Sequence, residues 1–422
     1  MKRKIMVSML AIAIIGTMCV GCSKNETKNT SVSVESTPVV GENKEEVVNL
    51  SVWGAEEDQE LLKKIVDSFQ KEHEGEAKFD IKITPVGEGE CKETALMNVA
   101  ECADVFSFAD DQLMALAAAG VLKPIENAAQ IKENNIEGAV TAATIGDSLY
   151  AYPLTADNGY FMFYNKKYFK DSDLESLDSM LQVAANNGQY VTMDWNSGWY
   201  LYAFFGNTGL KLGLNDDGIT TNCNWNTKEG DVKGVDIAKA LFDIANNPGF
   251  KNGNDAVLEE GAKDGSVIAG ISGVWQGSKL KEAWGDDYAA IKLPTYTCNG
   301  KQIQMGSYVG YKMIGVNSYS PNKEWAAKLA EWITNEENQK LRFEERGQGP
   351  ANIKAADSDA VKNDVAIMAL IEQSQYGSLQ RVGGKYWGPM AEFGVDMANG
   401  KIAKDKLQET MDVLVEKITA AN

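Results

Sequence analysis

Residues 148–169 read "SLYAYPLTADNGYFMFYNKKYF", and their reading decides the architecture. Tyr, Phe and Leu dominate the stretch, which favours extended chain. Pro153 interrupts the run once, and Asp157, Asn158 and Gly159 interrupt it again. Proline cannot donate to a ladder, and an Asp-Asn-Gly cluster bends the backbone. A long aromatic strand broken in its middle predicts one segment that pairs in one sheet and then changes partners. Such a segment crosses between two domains.

Upstream, "VVNLSVW" at 47–53 alternates Val48, Leu50 and Val52 on one face, as a half-buried strand does. The segment "EEDQELLKKIVDSFQKEH" sets Leu61, Leu62, Ile65, Val66 and Phe69 on one helical stripe behind an acidic first turn. "FDIKITPV" at 79–86 and "ADVFSFA" at 103–109 read as strands, each followed by helical sequence. A strand–helix–strand–helix series predicts a layered α/β domain with a largely parallel sheet. Downstream, helices are expected at 174–186, 199–206 and 235–249, and strands at 266–275 and in "YAAIKLPTY". "GSYVGYKMIGV" at 306–316 is a second aromatic bridge, followed by one helix over 322–345 and a closing amphipathic helix over 401–421. Two bridges imply a chain that crosses between lobes more than once, which permits hinge motion around a crevice.

The first residues, "MKRKIMVSMLAIAIIGTMCVGC", have a basic head and an apolar run from Ile5 to Ile15. That run is too short to span a bilayer, which needs roughly 20 apolar residues, and fits a secretory signal. Gly21 before Cys22 resembles a lipoprotein signal over 1–21, with Cys22 as the lipidated residue and Cys19 where leucine is commoner. Residues 22–46 are polar and small and read as a flexible tether. The net charge of −19 disfavours nucleic acid and anionic partners. The one histidine, His73, reads as a solvated helix-end residue. Cys91, Cys102, Cys223 and Cys298 contain no CxxC pair, so neither disulfides nor free thiols are selected. "LNDDG" at 214–218 lacks the ligand spacing of a calcium loop and reads as a solvated turn. No metal or cofactor is expected.

Near the far end, "KYWGPM" at 385–390 sets Trp387 just before a Gly-Pro pair, at the lip of an element. An indole there either plugs a gap between domains or touches a ligand. Trp325 and Trp332, at helical spacing, read as core.

Several segments together resemble the solute-binding proteins of ABC importers, in the maltose and maltodextrin branch. They are "LSVWGAEED" at 50–58, "CADVFSFADDQLMALAAAGVLKPI" at 102–125, "LYAYPLTADNGYFMFYNKKYF" at 149–169, "GSVIAGISGVWQGSKL" at 265–280, "YVGYKMIGVNSYSPNKEWAAKLAEWIT" at 308–334 and "KYWGPMAEFG" at 385–394. The last is most like Gram-positive maltodextrin binders. The resemblance implies an α/β, two-lobed, periplasmic-binding-protein-like fold, each lobe a mostly parallel sheet flanked by helices. One lobe is expected to hold 47–157 and 310–360, the other 158–309 and 361–422. It further implies a non-enzymatic, monomeric protein, lipid-anchored outside the cytoplasmic membrane, that closes over a neutral oligosaccharide and delivers it to a membrane-embedded permease.

A sugar offers apolar C–H faces and a rim of hydroxyls, so its site needs flat rings and hydrogen-bonding side chains. Trp387, Trp275 and Trp199 fall at aromatic platforms of the family. Trp195 and Phe108 are weaker candidates, since core burial explains each equally well. Asp111 and Gln112 occupy a position where the family presents an acid and then a base. Asp157 sits at an acidic family position in the first crossing, although an Asx turn accounts for it too. Glu57 leads the trio Glu56, Glu57 and Asp58, whose plainer reading is an acidic helix start. Ser197 stands where relatives often have glutamate, and Ala391 near a position basic in some, so the sugar need not be plain maltose. A glycoside hydrolase would also need rings and carboxylates, roughly 5–9 Å apart. The residues by themselves also leave room for a peptide or polyamine binder and for a purely structural surface lipoprotein.

Overall fold

Alternation along Val47–Gly54 buries Val48, Leu50 and Val52 beneath the helix Gln59–Glu72, which turns Leu61, Leu62, Ile65, Val66 and Phe69 towards them. The computed structural model describes residues 47–126, 128–216 and 218–421. The expected signal, Cys22 and the tether lie outside the described residues. Val47–Gly54 pairs in parallel with Lys78–Pro85 and with Val105–Ala109. Ser307–Val316 then pairs antiparallel with Val105–Ala109 and with Tyr152–Gly159, and parallel with Gly377–Leu379. These strands make one six-stranded sheet.

The second sheet runs Phe250–Asn252, Tyr190–Met193, Val267–Ser272, Phe161–Asn165, Tyr288–Ile291. Tyr152–Gly159 belongs to the first sheet and Phe161–Asn165 to the second, so the chain changes sheets at Tyr160. This is the partner switch expected from the aromatic stretch. The fold is α/β and two-lobed, with both sheets mixed. Parallel pairs come from strand–helix–strand units, and antiparallel pairs come from the crossing strands and from Tyr288–Ile291.

Side-chain alternation divides the core. In the first sheet Val105 enters one cluster with Leu50 and Ile65, while Phe106 and Phe108 enter another with Leu116 and Met313. In the second, Tyr160 and Met162 join a large cluster with Trp195, Trp225 and Tyr386, while Phe161 and Phe163 pack with Leu258 and Leu280.

Three local expectations are corrected. The helix expected over 322–345 is two helices, Lys323–Ile333 and Glu336–Arg346. Asn335 breaks it by accepting the Asn338 N–H at 2.8 Å as an N-cap. Gly388 and Pro389 do not form a turn. They lie in the first turn of the helix Trp387–Ala398, where proline removes no intrahelical hydrogen bond. His73 is not a freely solvated residue: its ring lies 4.6 Å from Phe69 and 5.3 Å from Trp325, and Nδ1 meets Glu76 Oε1 at 3.0 Å. The four cysteines of the folded part are free, and burial raises every thiol, Cys102 and Cys223 to about 12.

Candidate functional site

Where the chain passes between sheets, tyrosines form a frame for two of the three indoles. The Tyr160 hydroxyl donates to the Trp199 carbonyl at 2.9 Å and accepts the Tyr308 N–H at 3.2 Å, so one buried side chain ties both crossing strands to Trp199. Tyr386, fully buried, donates its hydroxyl to Gly198 O at 2.8 Å and packs edge-on against Trp387 at 4.9 Å. The Trp387 ring also lies 6.0 Å from Tyr308. Trp387 is half-buried at the first residue of its helix, and Trp199 is half-buried in the short helix Gly198–Leu201.

Trp275 is 43% exposed, unusual for a tryptophan. It follows the buried strand Val267–Ser272 and turns back over Gly273, where an added Cβ would come within 2.1 Å of the ring. Its Nε1 donates to Asp255 Oδ2 at 2.7 Å, and Ser272 donates to the other Asp255 oxygen at 2.6 Å. The Trp275 and Trp199 rings stand 6.0 Å apart with a 37° tilt. Two half-open indoles are therefore brought together from residues far apart in sequence.

Trp275 lines a recess of about 180 Å³ together with Asp157, Lys312, Arg346 and Gln348. Asp157 is buried and accepts from Thr155 Oγ1 at 2.6 Å. Burial raises its pKa, against the pull of Lys312. Lys312 Nζ is 3.6 Å from Glu88 Oε1. Behind the recess, Asp58 is clamped by Arg342 and, at 2.9 Å, by Arg346 Nε. Burial opposes the Asp58 charge, but the two guanidinium groups outweigh it and hold the carboxyl below its ordinary range. The recess thus has a preformed set of donors and acceptors facing an indole.

Beside it, Asp110 accepts the Tyr311 N–H at 2.9 Å through Oδ1, while its buried Oδ2 has no partner. Burial pushes its pKa up to about 6, with the Tyr311 hydrogen bond acting the other way. Asp111 is exposed along one edge, yet the protein around it displaces enough water to raise its carboxyl, against the pull of Lys92.

Three expected contacts, those of Trp195, Phe108 and Gln112, are corrected. Trp195 and Phe108 are wholly buried in separate core clusters and present no face to a cleft. Gln112 is also buried. Its Nε2 donates to Glu88 O and Gly89 O, and its Oε1 accepts Lys92 N–H at 2.9 Å, so the amide fastens the 87–92 loop. Glu57 is exposed on the turn Glu56–Asp58, while the inward acid of that turn is Asp58. Lys312, Arg346, Gln348 and Gln380 were not legible as site residues, because only the fold brings them to the indoles. A second cavity of about 590 Å³ lies on the crossing strands between Ile136, Tyr311, Pro350, Ile367 and Ile371. It is larger but mostly apolar, and none of the three indoles lines it.

The family model for bacterial extracellular solute-binding proteins matches residues 64–369. The chain is similar to the galactooligosaccharide-binding protein of Bacillus subtilis (strain 168), 25% identical over 396 residues that span 89% of this chain and 87% of that protein. It is similar to the maltooligosaccharide ABC transporter solute-binding lipoprotein of Streptococcus pneumoniae (strain ATCC BAA-255 / R6), 23% identical over 391 residues, 88% of this chain and 89% of that one. A protein whose structure was solved with acarbose is 28% identical, with a TM-score of 0.77 over 89% of this chain and 99% of that one.

Proposed function

The chain belongs to the bacterial extracellular solute-binding proteins, and we propose that it captures a neutral oligosaccharide, an α-1,4-linked maltooligosaccharide, between its lobes and delivers it to a membrane-embedded ABC permease. The observation that carries this reading is the half-open pair of indoles, Trp199 and Trp275, the second of which lines a recess with Asp157, Lys312 and Arg346. Indole faces stack on pyranose C–H surfaces, and the recess supplies partners for hydroxyls. Trp387, held by Tyr386 and Tyr308, serves as a third ring. Asp111 accepts hydroxyl protons from the other wall, and Glu57 is free to meet a longer sugar at the rim.

The lobes are assigned as 47–157 with 310–360 and 158–309 with 361–422. One strand departs from this division, because Gly377–Leu379 returns to the first sheet beside Ser307–Val309. We place the protein outside the cytoplasmic membrane on a lipid at Cys22, as a monomer. A binding rather than catalytic role is supported by membership in a family of binding proteins.

A second reading, capture of a galactooligosaccharide, is favoured by the Bacillus relative. Calorimetric titration with maltotriose, maltotetraose, β-linked glucans and galactooligosaccharides separates the two. Heat with maltotriose and maltotetraose supports the first reading, and heat with galactooligosaccharides alone overturns it in favour of the second. Shortening of maltotetraose by the pure protein overturns the non-catalytic role.

A further inference from the structure

An indole has one polar group, its N–H, and in the pair Trp199 and Trp275 that group is already engaged. Trp275 Nε1 donates to Asp255 Oδ2 at 2.7 Å, and Trp199 Nε1 donates to Gln380 Oε1 at 3.0 Å. An indole N–H only donates, so neither ring has a hydrogen bond left to give a ligand hydroxyl. What remains to each is its apolar face. We propose that Asp255 is a positioning residue for ligand capture. It occupies the Trp275 N–H, fixes the angle of the ring and leaves a face that selects pyranose C–H surfaces. The inference rests on the reading above in taking Trp275 as a wall of the sugar cleft.

Asp255 is itself firmly placed. It opens the helix Asp255–Asp264, whose N-cap Asn254 accepts the Val257 N–H at 3.2 Å. Its other oxygen, Oδ1, accepts the Ser272 hydroxyl at 2.6 Å, and Ser272 is the buried last residue of the strand Val267–Ser272. One carboxylate therefore joins a helix start, a strand end and the ring. A negative charge is favoured at a helix start, and hydrogen bonds to an ionised acceptor are the stronger kind.

The backbone beneath the ring is held separately, because the Gln276 N–H closes the turn onto the Gly273 carbonyl at 3.1 Å. Rotation about the side-chain bonds of Trp275 is the freedom that Asp255 removes. Without this bond the ring would turn its N–H to water or to a hydroxyl, presenting an edge where a sugar needs a face. With both N–H groups occupied, recognition of hydroxyls falls to the recess residues Asp157, Lys312 and Arg346.

Hydrogen exchange of the Trp275 indole proton, read on the full chain labelled with 15N-tryptophan, tests the bond without any sugar. The resonance is assigned by its loss in Trp275→Phe. Exchange is expected to quicken about tenfold in Asp255→Ala, the effect of one lost hydrogen bond. It is expected to stay near the parent rate in Asp255→Asn, whose oxygen still accepts the N–H while its NH2 donates to Ser272. Unchanged exchange in Asp255→Ala overturns the proposal. Calorimetry with maltotriose then separates positioning from a general structural role. Asp255→Ala is expected to bind about fivefold more weakly, since the ring must be ordered on binding, and Asp255→Asn to recover to within about twofold of the parent. Trp275→Phe keeps an aromatic face but has no N–H for Asp255 to hold. Adding Asp255→Ala to Trp275→Phe is therefore expected to change affinity by less than about twofold. The full loss on that background, or no recovery in Asp255→Asn, overturns the proposal. If indole exchange depends on Asp255 as expected while maltotriose gives no heat with the parent, the sugar reading fails and the hold of Asp255 on the ring stands.

Discussion

Trp275 keeps its exposed ring in place because Gly273 leaves room beneath it and Asp255 holds its nitrogen, so the indole is set before any ligand arrives. A preset ring contributes more on binding than one that must be ordered. Replacing Trp275 and Trp387 together by alanine is expected to weaken maltotriose binding at least a hundredfold by calorimetry, with the folded structure kept. Gln112→Ala is expected to leave affinity within about threefold and instead to lower stability by roughly 0.5–1.5 kcal/mol, because the Glu88 and Gly89 carbonyls lose their donor. Asp110 offers a pH test. Its folded pKa of about 6 exceeds the ordinary 3.8, so the folded chain holds a proton that the unfolded chain has released across that window. Stability contributed by this group is therefore greatest below pH 4 and falls as pH rises to 6, with ~3 kcal/mol as a ceiling. Asp110→Asn, read by urea unfolding, is expected to stabilise at pH 7.5, change little at pH 4 and flatten the slope between. At this scale the sequence revealed polarity and ring chemistry but not direction. Trp275 and Trp195 both follow strands near turns, yet one faces out and the other is sealed between Phe204 and Phe250. Only packing decides that.

Among elements, the helix Glu336–Arg346 is anchored by ions rather than by an apolar stripe. Its buried residues are Asn338, Gln339 and Arg342. Arg342 reaches Asp58 on the turn Glu56–Asp58 and Gln348 Oε1 at 2.8 Å beyond the helix. Gln339 Oε1 accepts the N–H groups of Ala351 at 2.8 Å and Asn352 at 2.9 Å, so the following loop is tied down as well. Breaking a buried pair leaves a charge without compensation, whereas loss of a partly exposed partner is screened. Arg342→Met is expected to cost about 3–5 kcal/mol in urea unfolding, and Arg346→Met about 1 kcal/mol or less. Equal costs would show that the two arginines share Asp58 evenly. This polarity also explains why the break before the helix was missed. Apolar spacing through Trp325, Leu329, Trp332 and Ile333 ends at 333, and the polar helix after it carries no stripe to mark its start. The N-cap at Asn335 is a weak signal that becomes legible only once the break is known. By contrast, the helix Gln59–Glu72 and the strands Val47–Gly54 and Val105–Ala109 were legible, because one buried face writes its period into the sequence.

On the scale of the whole molecule, the division into two sheets was readable from a single stretch because a crossing strand must satisfy two cores within a few residues. Leu154 packs in the first core, while Phe161 and Met162 serve opposite faces of the second sheet. What the stretch did not reveal was the third connection, Gly377–Leu379, since three residues with one apolar side chain leave no periodic trace. That connection matters for motion. The lobes are joined near Gly159, near Ser307 and through the segment after Leu379, and all three lie side by side on the strand Ser307–Val316. Parallel links placed together act as one axis, about which small changes in a few backbone angles swing the lobes. Gly310 packs tightly at this axis: an added Cβ would stand 2.6 Å from Asn158 Nδ2 and 3.1 Å from Asp110 Oδ1. Small-angle scattering is therefore expected to show a smaller radius of gyration when maltotriose is added to the parent chain. Gly310→Ala, which must push Asn158 aside, is expected to shift that ligand-linked change while leaving the Trp199–Trp275 pair intact. Binding heat without any contraction in the parent would mean that the cleft is already shut before the sugar enters, and the hinge would then have no part in capture.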